Sequence, residues 1–333
     1  ATQPALKEFL SEDMKGKELC PGMEDQFRFF RRVTMKDLGK ISEEELTERL
    51  QRNRQALCIV NTKKKAQSIY RKICGGKTGR EGVYHLSTAM YPVHRRNVLD
   101  QIRKRLADRQ ECIVISTSLV EAGVDLDFPV VYRQLAGVDS IIQAAGRCNR
   151  EGKESAEDSF TYIFRFDERE SVPGQRQQIQ VAESMLQDAP DLNAPETIER
   201  YFEILYHLRG DSLDSKDILG MFRNMNFQFA RAGESFRIFE ENTKTILIPR
   251  EKEAAAILDE VRRKGFSKNR VRTMGQYCVN VYDNMFQRLY AAGLLRPISG
   301  EEENQYFVLT NEEQYSDEMG LELDVEYGQA VMM

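Results

Sequence analysis

The chain has 333 residues, 41% of them hydrophobic and 30% charged, which suits two packed domains and excludes a disordered chain. No run approaches the roughly 18 apolar residues of a membrane span, and Ala1-Thr2-Gln3-Pro4 is neither an initiator methionine nor a signal peptide, so the expectation is a soluble, cytoplasmic segment of something longer. The formal net charge of −5 hides an uneven distribution: residues 51–150 carry 18 Lys+Arg against 8 Asp+Glu, residues 251–300 carry 9 against 5, and residues 301–333 carry 10 Asp+Glu and no Lys or Arg. A nucleic-acid partner therefore stays open for the basic block, and the acidic tail is expected to repel nucleic acid or to meet a basic partner. Six well-separated cysteines with no C-x-x-C pair, and only three histidines, exclude a zinc module and a disulfide framework.

Residues 1–50 are charged and aromatic and are expected to form a linker, with a helix at 42–51 opened by a Ser42/Glu45 capping box. From residue 56 onward, apolar β-branched runs at 56–61, 82–86, 112–116, 130–132 and 160–164 alternate with helix-like segments at 62–73, 92–108 and 138–147. That alternation predicts an α/β domain with a parallel sheet, spanning 51–170. After Asp167-Glu168-Arg169-Glu170 the Pro173-Gly174 break opens a helical region to about 230. Residues 231–333 then read as a small α+β domain, with strands at 236–239, 245–248, 277–282 and 306–309 and a helix at 251–264.

Two segments carry the chemistry. Gln143, Gly146, Arg147 and Arg150 form Q-x-x-G-R-x-x-R, and on a helix those four positions share one face. The glycine would admit a ligand closely, and two guanidiniums one turn apart could both reach one triphosphate. Upstream, Ile115-Ser116-Thr117-Ser118-Leu119-Val120-Glu121-Ala122-Gly123-Val124-Asp125-Leu126-Asp127 ends an apolar strand in hydroxyls and a Gly-containing acidic loop. Ligands of open α/β sheets bind at such strand ends. Thr117 and Ser118 suit a phosphate, whereas Asp125 suits an arginine or a ribose hydroxyl. Taken singly, this second segment fits an ordinary strand-to-helix turn equally well.

In this order and spacing the two segments resemble motifs V and VI of superfamily 2 helicases. Their spelling is similar to that of the helicase-nuclease of type I CRISPR systems, in particular its subtype C branch, and Ala1-Thr2-Gln3-Pro4-Ala5-Leu6 resembles the end of that family's motif III. The resemblance implies the end of a first RecA-like lobe and a linker at 1–50, a second RecA-like helicase lobe at 51–170, a helical linker at 171–230 and a C-terminal domain at 231–333. By the same resemblance Arg147 and Arg150 are arginine fingers, Gln143 senses the nucleotide, Gly146 lets it approach, and Gly123 with Asp125 links it to the nucleic-acid track. Asn61, Thr62 and Lys63 resemble motif IV; His85, Ser87 and Arg95 resemble the family's next phosphate contact, joined by Thr117 and Ser118. An N-cap with a solvated lysine face, and a core histidine, are the plain alternatives for the first two groups. Arg262, Arg263, Lys264, Lys268, Arg270 and Arg272, ahead of Tyr277, offer a further nucleic-acid surface or simply a charged helix end.

The resemblance implies ATP with Mg2+, held mainly by a first lobe that this sequence lacks. Implied partners are single-stranded DNA (the displaced non-target strand), the RNA-guided surveillance complex, the first RecA-like lobe and the nuclease domain, with no membrane. A G-x-x-x-x-G-K-[ST] phosphate loop is missing: Gly76-Lys77-Thr78 has Arg71 where the first glycine should stand. A D-E-x-[DH] box and the nuclease's His-Asp pair are also missing from the sequence. The chain by itself is thus expected to be inactive, part of an ATP-dependent DNA helicase when joined to the rest. The competing reading is a non-catalytic nucleic-acid-binding and docking module, either a fragment or a split-gene product.

Overall fold

In the computed structural model, residues 22–324 are described except for 77–78, 168–171, 173, 189–190, 226, 237–242 and 299–305. The motif III resemblance at 1–6, Cys20, most of the Asp167–Glu170 run, most of the strand expected at 236–239 and the end of the acidic tail lie outside the described residues.

The first layer is a six-stranded parallel sheet, ordered β1-β6-β5-β2-β4-β3. Its strands are β1 (Thr34–Ile41), β2 (Gln55–Ile59), β3 (Val83–Leu86), β4 (Cys112–Ser116), β5 (Val130–Gln134) and β6 (Phe160–Phe166). All five residues of β4 are buried, as are four of the five in β2, because helices cover both faces and leave no side for an alternating pattern. Helix α1 (Met23–Phe29) precedes the sheet, and α2 (Glu43–Gln51) starts at the expected cap: Ser42 Oγ accepts from Glu45 N at 3.1 Å. Helix α3 (Lys63–Ile73) buries Ala66, Ile69, Tyr70 and Ile73, one stripe at helical spacing. Helix α4 (Pro92–Ala107) uses Pro92 in its first turn, where the missing N–H costs nothing, and α5 (Val138–Ala145) follows β5.

Residues 34–41 correct the linker expected for 1–50. They form β1, paired parallel to β6 from Thr34↔Phe160 to Ile41↔Phe166. An edge strand is covered less completely, so Lys36, Asp37 and Lys40 are tolerated along it, and Gly39, at φ 69°, sits where the register shifts between Asp37 and Lys40. The polar composition concealed the strand.

Helices α6 (Arg176–Asp188) and α7 (Pro195–Arg209) pack on α5 through Val138, Ile141, Val181, Met185, Tyr201 and Leu205, and a short α8 (Phe229–Ser235) closes the helical region. A second sheet, β8-β7-β10-β9, is built from β7 (Thr243–Leu247), β8 (Cys278–Tyr282), β9 (Leu295–Pro297) and β10 (Tyr306–Leu309). Its alternate residues separate two cores. Leu247, Cys278 and Val308 pack on α9 (Lys252–Lys264) and on Met274 of α10 (Lys268–Met274). Ile246, Val279, Val281 and Phe307 face α11 (Asp283–Ala291) together with Ala89 and Tyr91 of the first domain. A two-stranded hairpin, β11 (Tyr315–Ser316) and β12 (Gly320–Leu321), lies against both domains. No helix among the described residues is long and apolar enough to cross a membrane.

His85 points from β3 into the lobe core, 1% exposed, with neither ring nitrogen hydrogen-bonded and Tyr70 edge-on at 6.2 Å. Burial pushes this imidazole down from 6.5 to about 3. It stays neutral in the fold while the unfolded chain binds a proton near 6.5, so its contribution is full above 6.5 and is lost as the pH falls toward 3. His85→Leu is expected to keep or raise the thermal midpoint at neutral pH, since two unsatisfied buried atoms are removed, and to flatten its decline below pH 6.5. Thermal unfolding followed across that range checks both.

Candidate nucleotide and nucleic-acid interface

The expected site residues gather along one edge of the six-stranded sheet, where β2, β3, β4 and β5 end. Two groups are resolved there, one on each side of β2.

The first lies beyond β5. Arg133, 1% exposed, is the largest fully buried side chain among the described residues. Its Nη1 donates to Asn61 Oδ1 at 2.7 Å and to Gln134 O at 2.8 Å, its Nη2 donates to Ser140 Oγ at 2.9 Å, and its Nε lies 2.9 Å from Glu121 Oε1. Ser140 Oγ in turn donates to Glu121 Oε2 at 2.7 Å. Burial lowers the Arg133 pKa and raises that of Glu121, and each group's charge works against the other's shift. One guanidinium thereby ties together the loop after β2, the end of β5, the start of α5 and the acidic loop after β4.

Against that frame, the arginines stand differently from the arrangement expected on one helix. Helix α5 ends at Ala145 with Gly146 as its cap, so Gln143 is the only one of the four motif residues within the helix. Residues 147–149 turn back to pair with Phe128, whose N–H donates to Arg147 O at 2.9 Å and whose carbonyl accepts from Asn149 N at 2.9 Å. Arg147 is buried: Nε donates to Val120 O at 2.9 Å and Nη2 to Glu121 O at 2.7 Å. Arg150 stays at the surface, its Nε 2.7 Å from Asp125 Oδ1, and its backbone N–H donates to Asp127 Oδ1 at 2.7 Å. The two guanidiniums therefore differ: Arg147 shapes the acidic loop, and Arg150 is held at a cleft by an exposed carboxylate. Gly123, at φ 71°, is exposed on the same loop. The cleft, about 1040 Å³, is lined by Asp125, Gly146 and Arg150, by Phe27, Phe30 and Arg31 ahead of β1, and by the N-terminal turn of α7.

The second group spans the ends of β2, β4 and β3. Thr62 caps α3, its Oγ1 accepting from Lys65 N at 3.2 Å. Thr117 is buried beside Leu86, Ser118 is exposed, and Ser87 Oγ accepts from Ala89 N at 3.1 Å. Lys63 and Arg95, half-buried at the starts of α3 and α4, have no carboxylate within ion-pair distance among the described residues. Burial first, and then the Arg95 guanidinium, pull the Lys63 ammonium below the ordinary lysine range. Burial also lowers Arg95. Two desolvated cations in one another's field make a place for an anion.

Some expected contacts are occupied otherwise. Asn61 is consumed internally, its Nδ2 donating to Leu135 O at 2.9 Å and its Oδ1 accepting from Arg133. Tyr277 offers no free stacking platform, since it packs between the domains with its ring 6.0 Å from that of Tyr91. Arg270 caps α9, donating to Lys264 O and Gly265 O, and pairs with Glu260. Two acids of the tail pair within the chain: Glu322 and Asp324 with Arg71, and Asp324 with Lys64. Residues missed from the sequence are Arg133, Glu121, Ser140 and Asn149. The last holds φ 45° while its side chain bonds Arg32 O and both the N–H and the carbonyl of Glu154. An Asn in a left-handed position has a local signature, but its long-range partner has none.

A parallel six-stranded sheet with helices on both faces and loops converging on one edge makes this domain an α/β, RecA-like lobe. Residues 52–153 match the family model for the C-terminal part of the CRISPR-associated nuclease/helicase Cas3. Among curated relatives the chain is similar to a CRISPR-associated nuclease/helicase Cas3 of Methanothermobacter thermautotrophicus, 33% identical over 113 residues, or 34% of this chain and 12% of that protein. It is also similar to one of Haloferax volcanii, 42% identical over 65 residues, or 20% of this chain and 7% of that protein. The fold is shared with T. fusca Cas3 in an ATP-bound crystal structure, with a TM-score of 0.53 at 15% identity over 84% of this chain and 39% of that one. A chain of a CRISPR RNA-guided surveillance complex in a pre-nicking state gives a TM-score of 0.51 at the same identity, over 84% of this chain and 41% of that one. These matches bear out the resemblance to the C-terminal part of the CRISPR helicase-nuclease, and the matched residues span only a small part of the curated relatives' length.

Replacing Arg133 by Met would leave Glu121 buried without its counter-charge, at a cost of roughly 3–5 kcal/mol. Chemical denaturation should show that loss, and adding Glu121→Gln should recover most of it.

Proposed function

We propose that this chain is the C-terminal portion of an ATP-dependent, superfamily 2 single-stranded DNA translocase or helicase acting in CRISPR interference. It would unwind target DNA for the nuclease after recruitment by the RNA-guided surveillance complex. The observation that carries the reading is the pair of anion-facing groups on one sheet edge: the Asp125–Arg150 pair at a cleft on one side, and the unpaired Lys63 and Arg95 on the other. A motor needs both a nucleotide contact and a strand contact on one rigid edge, so that closure at the first displaces the second.

In this reading a first RecA-like lobe holds ATP and Mg2+. This chain's share is arginine, glycine and backbone around the cleft. ATP, when bound, supplies the phosphoryl group whose transfer to water drives the motion. Arg150 would leave Asp125 to stabilise negative charge developing on that group. Gln143 and Gly146 would border the nucleotide, and Arg147, by bonding the 120–121 carbonyls, would keep Gly123 and Asp125 in place. Lys63, Arg95, Thr62, Thr117, Ser118 and Ser87 would hold strand phosphates without regard to base, so affinity would fall steeply with salt.

In a protein that includes the first lobe, Arg150→Lys is expected to reduce DNA-stimulated ATP hydrolysis on the order of 10³-fold or more, because an ammonium does not replace the guanidinium fork. Strand binding should be nearly unchanged. Near-normal turnover would leave the docking-module reading in its place.

Lys63→Ala and Arg95→Ala should each weaken single-strand binding and lower the slope of log affinity against log salt by about one. An unchanged slope would remove these cations from the strand contact.

A further inference from the structure

Lys63 and Arg95 start two different helices, and among the described residues each bears a positive charge with no carboxylate in ion-pair distance. Their mutual field pushes them apart, and the sheet on which both helices pack sets the first part of their spacing. The C-terminal hairpin bridges the two helices as well, bonded to both.

On the α3 side the hairpin is bonded through Gln67, itself 1% exposed. Its Nε2 donates to Leu321 O at 2.9 Å, and its Oε1 accepts from Leu323 N at 3.2 Å. One turn on, Arg71 holds Glu322 at 2.8 Å and Asp324 at 3.0 Å. On the α4 side Leu321 N donates to Ala89 O at 2.8 Å. The Tyr315 hydroxyl accepts from Tyr91 N at 3.2 Å and lies 2.7 Å from His94 Nδ1, while His94 Nε2 lies 2.9 Å from Asp317 O. Tyr91 is the residue before α4, and Arg95 N donates back to its carbonyl at 3.0 Å. The hairpin is also anchored in both cores: Met319 among Ala66, Ile69 and Tyr70, and Tyr315 with Leu321 among the residues of the second sheet. Gly320, at φ 74°, passes so close to Ala89 that a Cβ would lie 2.4 Å from its carbonyl oxygen.

We propose that the hairpin 315–321 is a clamp that sets the spacing of Lys63 and Arg95, so that the two cations grip adjacent phosphates of one strand as a unit. This rests on the strand-phosphate reading of those two residues. Gln67, Tyr315 and Gly320 are positioning residues: they touch the elements that carry the cations, and none of them is assigned to the strand. The clamp belongs to the C-terminal domain's side of the molecule, with Arg250 donating to Tyr315 O at 3.0 Å. A movement of that domain would therefore reach the strand contact through the hairpin.

The test is a double-mutant cycle on binding of a fluorescein-labelled 20-nucleotide oligothymidylate to the 333-residue chain, read by anisotropy at fixed salt. With the clamp intact, Lys63→Ala and Arg95→Ala should be strongly non-additive, because loss of either breaks the paired grip. Tyr315→Phe keeps the ring and removes two hydrogen bonds. It should weaken binding by roughly two- to tenfold and make the two losses additive, with thermal unfolding little changed. Gln67→Leu should do the same from the α3 side, and Gly320→Ala should do so more strongly. Wild-type affinity and unchanged coupling in Tyr315→Phe and Gln67→Leu, with Lys63→Ala and Arg95→Ala still weakening binding, would overturn the clamp alone. If neither cation variant weakens binding, the strand-phosphate reading falls, and the clamp with it.

Discussion

A single buried arginine organises the functional edge. Arg133 reaches that edge from the interior of a parallel sheet, where a guanidinium has no water, and it is tolerated only because Glu121, Ser140, Asn61 and the Gln134 carbonyl receive its protons or its charge. The partners come from four different places in the chain: the loop after β2, the end of β5, the first turn of α5 and the loop after β4. The desolvation that makes an isolated charge intolerable here is also what makes the assembled set rigid, since no member can leave without stranding another. Arg147 extends the frame by bonding the carbonyls of Val120 and Glu121, so the acidic loop is held from both sides.

From this frame two surfaces diverge. At the cleft a carboxylate and a guanidinium, Asp125 and Arg150, are paired at the surface rather than buried. Across β2, Lys63 and Arg95 are partly desolvated and, among the described residues, have no carboxylate in ion-pair distance. The acidic tail, which makes the net charge of the chain negative, spends part of its charge on Arg71 and Lys64, leaving Lys63 and Arg95 uncompensated.

The sheet was legible in the sequence wherever both faces are covered. Continuous runs such as Cys112–Ser116 admit little else, and Ser42 and Thr62 announced the starts of α2 and α3. Strand β1 was not legible, because an edge strand with solvent on one side needs no apolar run. The short strand Leu295–Pro297 and the 315–321 hairpin were missed for a related reason: two or three residues make no period. At the site, the residue types at 143–150 and 115–127 were legible, but the single helical face expected for 143–150 was not present, because Gly146 ends the helix there.

By itself the sequence determined the α/β class, the basic block and acidic tail, and which residues crowd the strand ends, because these follow from local periodicity and composition. The tertiary structure alone decided that Arg147 turns inward while Arg150 faces the cleft, that Asn61 serves Arg133, and that Glu322 and Asp324 pair with the basic face of α3. Those outcomes depend on partners tens to hundreds of residues away, and a buried charge or an unpaired one is defined only once burial has removed the water that would otherwise satisfy it.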